Sequence, residues 1–364
     1  FAANWGMRPG SGVWCRFRAD PQPVSPPAET MRLARQVVPK VNESLVGFLM
    51  RAAEANHLPT TFVLHAFLGR KSRPPAIEDA ERLALLCGCS IEEIAQLFGF
   101  LIRREGGLKA WRLGREWVTK DNFVSSRTMA VCCECLREDP YLPGTWELTL
   151  YCCCAFHRVR LLTTCPGCGR QLRWSRPQVW RCGCGFDLRQ AKTEAGTPYT
   201  WVTAELIEHR LDPGFRIDVP VEVPGHVVER LGRLSLDGLF KTIWFLGHCL
   251  GGFEACYAGH GRLKRKEGHA ETMINTAFSL LVCWPESLRE RLDALSRRQS
   301  LEGKPSSYQR TFGPLISYLE QEPVDGELTF IRLAYEQEIR LLWRSRGFKL
   351  PRRLDYQLEL NLGS

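Results

Sequence analysis

Ten of the sixteen cysteines of this 364-residue chain lie between residues 131 and 186, together with a single histidine, His157. Thiols at this density serve either disulfide formation or metal binding. A chain of this length buries enough apolar surface to fold without disulfides. It also shows no secretory signal and no run of about eighteen apolar residues that could cross a membrane. We therefore expect reduced thiols in a cytoplasmic protein, with metal binding as their chemistry.

The spacing divides eight of these residues into two sets of four. The first set joins a C-x2-C pair to a C-x2-H pair, and the second joins a C-x2-C pair to a C-x-C pair. Zinc takes four soft or borderline ligands in a tetrahedron, and a two-residue gap lets a tight turn point two thiolates at one ion. The predicted ligands are Cys132, Cys135, Cys154 and His157 for one Zn²⁺ and Cys165, Cys168, Cys182 and Cys184 for a second. Because protein fills all eight positions, both ions are predicted to be structural.

Two alternatives to this grouping stay open. One pair could be a redox dithiol, although no βαβ pattern surrounds either pair. A shift of register could also make Cys133, Cys152 or Cys153 a ligand, and otherwise these three are small apolar side chains. Two paired knuckles in tandem are much rarer by chance than a lone C-x-x-C, which favours the zinc interpretation.

The elements that must hold these residues are mostly helical. The stretch VNESLVGFLMRAAEANHL predicts an amphipathic helix, with Asn42 as its N-cap. The stripe of apolar residues on it comprises Leu45, Phe48, Leu49, Ala52 and Ala53. Further along, AERLALLCGCSIEEIAQLFG has the layout of a helix-turn-helix, in which Gly88 makes the turn. Ser90 and Glu93 form the capping box that begins its second helix.

The second of these helices is acidic where a DNA reader would be basic. Its predicted exposed residues are Glu92, Glu93 and Gln96. Carboxylates are repelled by phosphates, and base readout depends on Arg, Lys, Asn and Gln. We therefore predict that these three residues dock a protein partner. A plain helical hairpin with a solvated acidic face remains the alternative.

The predicted fold class is mainly α. An N-terminal helix-turn-helix region precedes a central tandem zinc-finger or zinc-ribbon module with short β-strands, and a C-terminal helical domain follows. The predicted boundaries are an extension at 1–37, a helical domain at 38–130, the double zinc module at 131–190, a linker at 191–200 and a helical domain at 201–364. Trp244, Trp284 and Trp343 fall on apolar helix faces of the last region and are interpreted as core.

The charge of the chain indicates a polyanionic partner. Forty-nine Lys and Arg against forty Asp and Glu give a formal charge of +9. Two clusters are predicted to contact nucleic acid, and they comprise Arg262, Lys264, Arg265 and Lys266, and Arg344, Arg346, Lys349, Arg352 and Arg353. Loops of this kind can also be merely solvated.

The sequence carries no constellation typical of an enzyme. It contains no G-x-x-x-x-G-K-[ST] loop, no H-E-x-x-H and no deaminase signature. A third metal site at His248, Cys249, Cys256 and His260 is disfavoured, because adjacent side chains on a helix diverge. We therefore predict a non-enzymatic protein.

Several segments resemble one known family. VPKVNESLVGFLMRAAEAN is similar to the opening motif of the TniQ/TnsD family. CCECLREDPYLPGTWEL, followed by CCAFHRVRLLTTCPGCG, resembles the zinc region of that family, except that Cys133 stands where a proline is usual. The resemblance covers residues 38–185, and FGPLISYLEQEPVDGELTFIRLAYEQEIRLLW resembles the helical C-terminal part.

This resemblance implies a function in transposition. Members of the family are target-selection subunits of bacterial transposons, and those of CRISPR-associated elements link a guide-RNA effector to the transposition machinery. The expected partners are a transposon AAA+ ATPase regulator and either a CRISPR effector ribonucleoprotein or target DNA, with a homodimer possible and no membrane contact. The expected location is the bacterial cytoplasm, at the nucleoid.

Three hypotheses follow for the function. The first is the transposition adaptor. The second is a zinc-containing helix-turn-helix transcription regulator that reads DNA by itself, and the third is an enzyme with a hidden zinc site. The acidic Glu92 and Glu93 favour the adaptor over the regulator.

Overall fold

The computed structural model describes residues 32–59, 64, 77–103, 109–125, 128–173, 176, 178–250, 268–300, 312, 315, 318–323 and 326–345. Helices dominate this part of the chain and one small sheet accompanies them, which confirms the mainly α class. None of the helices described there combines the length and the apolar character needed to span a bilayer.

Helix α1 is the predicted N-terminal helix and spans Leu45–Ala55. Its N-cap is Ser44, whose hydroxyl accepts a hydrogen bond from the backbone N–H of Gly47 at 2.9 Å. The prediction of Asn42 as the N-cap is wrong. That residue has a φ of 53°, and its carbonyl accepts the N–H of Gly144 instead. A contact distant in sequence therefore fixes the backbone before the helix begins.

Helices α2, Ala80–Cys87, and α3, Ile91–Ala95, form the predicted hairpin. The chain turns at Gly88, which takes a φ of 71° that glycine adopts without strain. The predicted capping box is present, because the side chains of Ser90 and Glu93 each accept the other's backbone N–H. Together with α1, these helices enclose a small apolar core of their own.

A three-stranded antiparallel sheet follows the hairpin and was not predicted. Its strands are β1, Leu101–Arg103, β2, Lys109–Leu113, and β3, Glu116–Val118, in that order across the sheet. Trp111 in the central strand pairs with both neighbours. Strands of three to five residues carry too short an alternation to be recognised in the sequence.

The central cysteine-rich region contains little regular structure. Helix α4, Cys133–Glu138, is followed by 3-10 turns at Gly144–Glu147 and Leu188–Gln190. Between these elements the described chain pairs through isolated bridges, such as those between Val131 and Leu162 and between Cys153 and Arg160. Buried apolar residues of this region, such as Leu136, Leu148 and Tyr151, pack in the large core.

Six helices make up the described C-terminal part. They are α5 (Pro198–Leu211), α6 (Gly225–Gly232), α7 (Leu236–Ile243), α8 (His269–Val282), α9 (Glu286–Ser300) and α10 (Thr329–Ser345), and a π-helical turn, Trp244–Cys249, continues α7. Helix α5 is buried on all sides from Thr200 to Ile207. Just before it, Ala195 forms a bridge with Val159.

One apolar core joins the sheet, the cysteine-rich region and the C-terminal helices. Phe123, which follows the sheet, meets Phe240 of α7 edge to face at 5.3 Å between ring centroids. Trp244 packs on the same ring at 6.2 Å and is half-buried, as the sequence predicted for a core tryptophan. These three parts of the chain are therefore packed as one body.

Candidate metal centres

The first group of four lies on two short turns. Cys132 is the N-cap of α4, and Cys135 lies in the first turn of that helix. The backbone N–H of Arg158 donates to the carbonyl of Cys154 at 2.8 Å, which closes the tight turn that presents Cys154 and His157. A helix start and a tight turn thus face each other, each with two ligands.

The atoms of this group converge as a tetrahedral site requires. Nδ1 of His157 lies 3.2 Å from Sγ of Cys135, and the four ligand atoms all lie within 4.8 Å of one another. The other ring nitrogen, Nε2, lies 3.1 Å from the Glu138 carboxylate. This contact fixes the ring so that Nδ1 faces the thiols, as carboxylates do for metal-binding histidines.

The second group comprises Cys165, Cys168, Cys182 and Cys184, whose sulfurs also lie within 4.8 Å of one another. Each of its two pairs is carried by a turn that a glycine closes. Gly169 donates its N–H to Cys165 at 2.8 Å with a φ of 66°, and Gly185 donates to Cys182 at 2.9 Å with a φ of 95°. Both glycines adopt left-handed backbone that other residues enter only at a cost.

Hydrogen bonds favour the thiolate form at one cysteine of each group. Bonds with Cys132 raise the pKa of Cys135 and of Cys154, and burial raises the pKa of Cys165 to about 12. Bonds from Cys135 and Cys154 lower the pKa of Cys132 to about 2. In the second group, the backbone N–H and then the guanidinium of Arg170 lower the pKa of Cys168 to about 6. Each group could therefore hold a metal ion, and a set of soft sulfur and imidazole donors is consistent with zinc.

The three neighbouring cysteines stay outside both groups. Cys133 and Cys153 are buried in the core, and burial raises the pKa of the Cys133 thiol to about 11. Burial raises the pKa of the Cys153 thiol as well. These two thiols are therefore part of the apolar packing and lie outside the sets of converging ligand atoms.

A cation next to His157 ties the first group to helix α5. Arg158 has a φ of 55°, and its guanidinium donates to Glu205 at 3.0 Å and to Asp218 at 2.7 Å. The same guanidinium lies 4.1 Å from the ring centre of Trp201. Sequence reasoning missed this contact because Glu205 lies 47 residues away and no local pattern connects the two.

The predicted docking residues lie on the surface of the hairpin. Glu92, Glu93 and Gln96 are all exposed. Glu93 has a second task, because its carboxylate accepts the backbone N–H of Ser90 at 2.8 Å. Of the two acidic residues, Glu92 is therefore the one whose charge does not cap the helix.

The predicted basic clusters fall mostly outside the described residues. These are Arg262, Lys264, Arg265 and Lys266 in one cluster and Arg346, Lys349, Arg352 and Arg353 in the other. Arg344 lies within α10. The sequence disfavours a third metal site, and two of its residues, Cys256 and His260, also lie outside the described residues. His248 of that set is buried and stacks on Trp244.

Comparison with known families gives one match. Residues 34–161 match the TniQ family model. The match contains α1 to α4, the sheet and the whole first group, and it ends before Cys165. No curated protein matches the chain.

Proposed function

We propose that this chain is a target-selection adaptor. Its TniQ domain makes it a transposition-associated protein. It would link a target-marking complex, either a guide-RNA CRISPR effector or target DNA, to the AAA+ ATPase regulator of the transposon and through it to the transposase. TniQ is a non-catalytic accessory domain of transposition. The TniQ match is the observation that carries this proposal.

Two structural zinc ions belong to the proposal. Each would be held by four protein ligands, Cys132, Cys135, Cys154 and His157 in one site and Cys165, Cys168, Cys182 and Cys184 in the other. The donor types, their convergence and the carboxylate on the imidazole of His157 support this occupancy. Such ions stiffen the two turns on which each group depends and leave no coordination position for a substrate.

The surface of the α2–α3 hairpin supports docking of a protein over readout of DNA. Helix α3 has five residues, a length of about 7.5 Å at the rise of an α-helix. Its exposed side chains include Glu92 and Gln96 and no Arg or Lys. A helix this short and acidic is poorly suited to the major groove. We therefore retain the transcription regulator only as the alternative.

A single charge reversal tests the docking surface. Glu92→Lys should weaken capture of the purified AAA+ ATPase at least about fivefold, because a repelled charge at the edge of an interface costs about 1 kcal/mol or more. Glu222→Lys, at an exposed carboxylate on the loop before α6, makes the same change of charge elsewhere and should leave capture intact.

Glu92→Lys should lower the melting temperature by at most a few degrees, because a cation in the first turn of α3 costs up to about 1 kcal/mol, and Glu222→Lys should leave it unchanged. Equal capture of the ATPase by the parent chain and by Glu92→Lys would show that the hairpin is not part of the interface. Tight, sequence-specific DNA binding by the chain alone, without capture of the ATPase, would replace the adaptor with the regulator.

A further inference from the structure

The two four-ligand groups lie in segments of opposite charge. Residues 131–158, which carry the first group, contain four carboxylates and two arginines. Residues 165–192, which carry the second, contain six Arg or Lys and one carboxylate, Asp187. A four-thiolate zinc centre would contribute two negative charges and offset only part of this excess. The second segment is therefore the basic one even when a metal is bound.

Three of these cations are available to a ligand. Arg170, Arg173, Arg181 and Lys192 are exposed. Asp187 is already paired with Arg189 at 2.8 Å, and within the described residues none of the four exposed cations forms a salt bridge. The guanidinium of Arg170 already bonds to the Cys168 thiol, which leaves Arg173, Arg181 and Lys192 as the exposed cations for a ligand. Exposed cations in one small module are the pattern expected where phosphates are bound.

An aromatic ring lies among the cations. The guanidinium of Arg189 stacks 4.2 Å from the ring centre of Trp180, and that of Arg181 lies 6.0 Å from it. Trp180 is half-buried, so part of its surface remains accessible. Arginines interleaved with an aromatic ring are typical of surfaces that bind unpaired nucleotides, because bases stack on the ring while phosphates meet the guanidinium groups.

A cleft of about 490 Å³ opens between the C-terminal end of α1 and the second group. Its lining includes His57, Gln178, Arg181 and the backbone of Gly183 and Gly185. This volume lies in the range of sites for one small ligand, such as a nucleotide. Glu54 also lines the cleft, and its carboxylate accepts a hydrogen bond from Gln178 at 3.0 Å.

We infer that Arg173, Arg181, Lys192 and the cleft that Arg181 lines form a surface that binds the phosphodiester backbone of a single-stranded nucleic acid. A flexible strand can follow cations around a small module and place one nucleotide in the cleft, whereas a stiff duplex cannot enter it. The inference deepens the proposed function by giving the adaptor a direct contact with the guide RNA or with displaced target DNA.

The test uses the full zinc-loaded chain without partner proteins, so its failure would leave the ATPase contact untouched. Short labelled strands of one sequence, as single-stranded RNA, single-stranded DNA and duplex DNA, are titrated by fluorescence anisotropy at several salt concentrations. The triple variant Arg173→Gln, Arg181→Gln, Lys192→Gln should bind single strands at least about tenfold more weakly. It should also flatten the slope of log K against log salt by about 2, since each phosphate contact on a single strand contributes about 0.7.

Two control variants separate this surface from general charge. Lys109→Gln, Arg112→Gln, Arg115→Gln removes three exposed cations of the β2–β3 hairpin and should leave binding within about twofold. Glu54→Gln removes a negative charge from the cleft and should strengthen binding. All variants must retain the zinc content of the parent chain, which shows that the module is intact.

The relative affinities for these strands decide whether the inference holds and which nucleic acid the surface binds. Tighter binding of RNA than of single-stranded DNA would identify a guide RNA, and the reverse preference would identify a displaced DNA strand. Unchanged binding by the first triple variant, an equal loss by the β2–β3 variant, or tighter binding of duplex than of either strand would overturn it. Full competition by polyglutamate at equal charge would instead assign the surface to an acidic protein.

Discussion

At the scale of single residues, the first metal group is continuous with the packing of helix α5. His157 faces the thiols, and the next residue, Arg158, holds the carboxylate of Glu205 in the core. Burial raises the pKa of Glu205, which the nearby Arg158 partly offsets. The position of α5 therefore depends on a turn whose own geometry depends on the metal ligands.

A second carboxyl on α5 predicts how stability depends on pH. Tyr151 donates its hydroxyl to Glu208 at 2.7 Å, yet burial raises the pKa of Glu208 by more than this bond lowers it. The fold therefore favours the protonated form. The stability that Glu208 contributes is fully present below the ordinary Glu pKa and is lost as the pH rises through its raised pKa in the fold.

Glu208→Gln should remove this pH dependence and keep the hydrogen bond from Tyr151. Its free energy of unfolding relative to the parent chain should increase with pH, by at most about 1.4 kcal/mol per pH unit within the window. Urea unfolding in mildly acidic to mildly alkaline buffers measures the difference. The exposed Glu229→Gln should give a difference that stays constant, and a constant difference for Glu208→Gln would contradict the prediction.

At the scale of elements, a segment before α1 joins the N-terminal helices to the cysteine-rich region. The backbone of Ser44 donates to Leu142 at 2.8 Å, and that of Leu45 donates to Phe98 at 2.6 Å. Glu43 is fully buried and accepts two bonds from Arg51, at 2.7 and 2.8 Å. The E-S-L core of the opening motif, Glu43 to Leu45, therefore has a structural role, because each of these residues makes a contact that joins two segments of the chain.

Close packing at this junction predicts the effect of one added methyl group. A Cβ at Gly144 would lie 2.5 Å from Cβ of Phe98, too close for either backbone to keep its place. Gly144→Ala should therefore lower the free energy of unfolding by about 1–3 kcal/mol. Gly225→Ala, at the start of α6 where a Cβ would meet nothing within 4 Å, should be neutral or slightly stabilising. Equal free energies of unfolding of both variants in urea would show that Phe98 or the backbone moves aside for the added methyl group at little cost.

The sequence was informative where the determinant is local. The capping box of Ser90 and Glu93 follows from spacing alone, and so does the grouping of the cysteines that the structure brings together. The sheet could not be predicted because its strands are too short, and the N-cap of α1 was misplaced because Asn42 contacts a residue about a hundred positions away. The carboxylate on His157 was missed as well, although Glu138 stands only one turn after Cys135 on α4.

At the scale of the whole molecule, both metal groups contribute cysteines to the large core, and the second group extends further toward the surface. Cys132 and Cys154 are fully buried, and Cys184 is exposed. The sheet, the first group and the C-terminal helices share that core. Loss of the first metal should therefore destabilise the helices far from it, whereas loss of the second should act locally.

Zinc content and melting temperature test this difference together. Elemental analysis should find two zinc ions per chain, and structural zinc binding is worth about 10–16 kcal/mol in small peptide units. Cys135→Ser should lose one ion and lower the melting temperature strongly, because it opens the core. Cys184→Ser should also lose one ion but lower the melting temperature less.

Cys283→Ser is the matched control, since this exposed cysteine belongs to neither group. It should retain two ions and the melting temperature of the parent chain. One zinc or none in the parent chain would contradict the assignment of both sites. Equal destabilisation by Cys135→Ser and Cys184→Ser would show that the position of a group relative to the core does not govern its effect.

The two metal groups follow each other along the chain and do not interleave, since His157 completes the first before Cys165 begins the second. A crossover in the short stretch between them therefore separates the two groups without splitting a ligand set. The TniQ match ends within this stretch, at residue 161. A chimaera joined there would therefore test whether the nucleic-acid binding that we infer for the second segment moves with that segment.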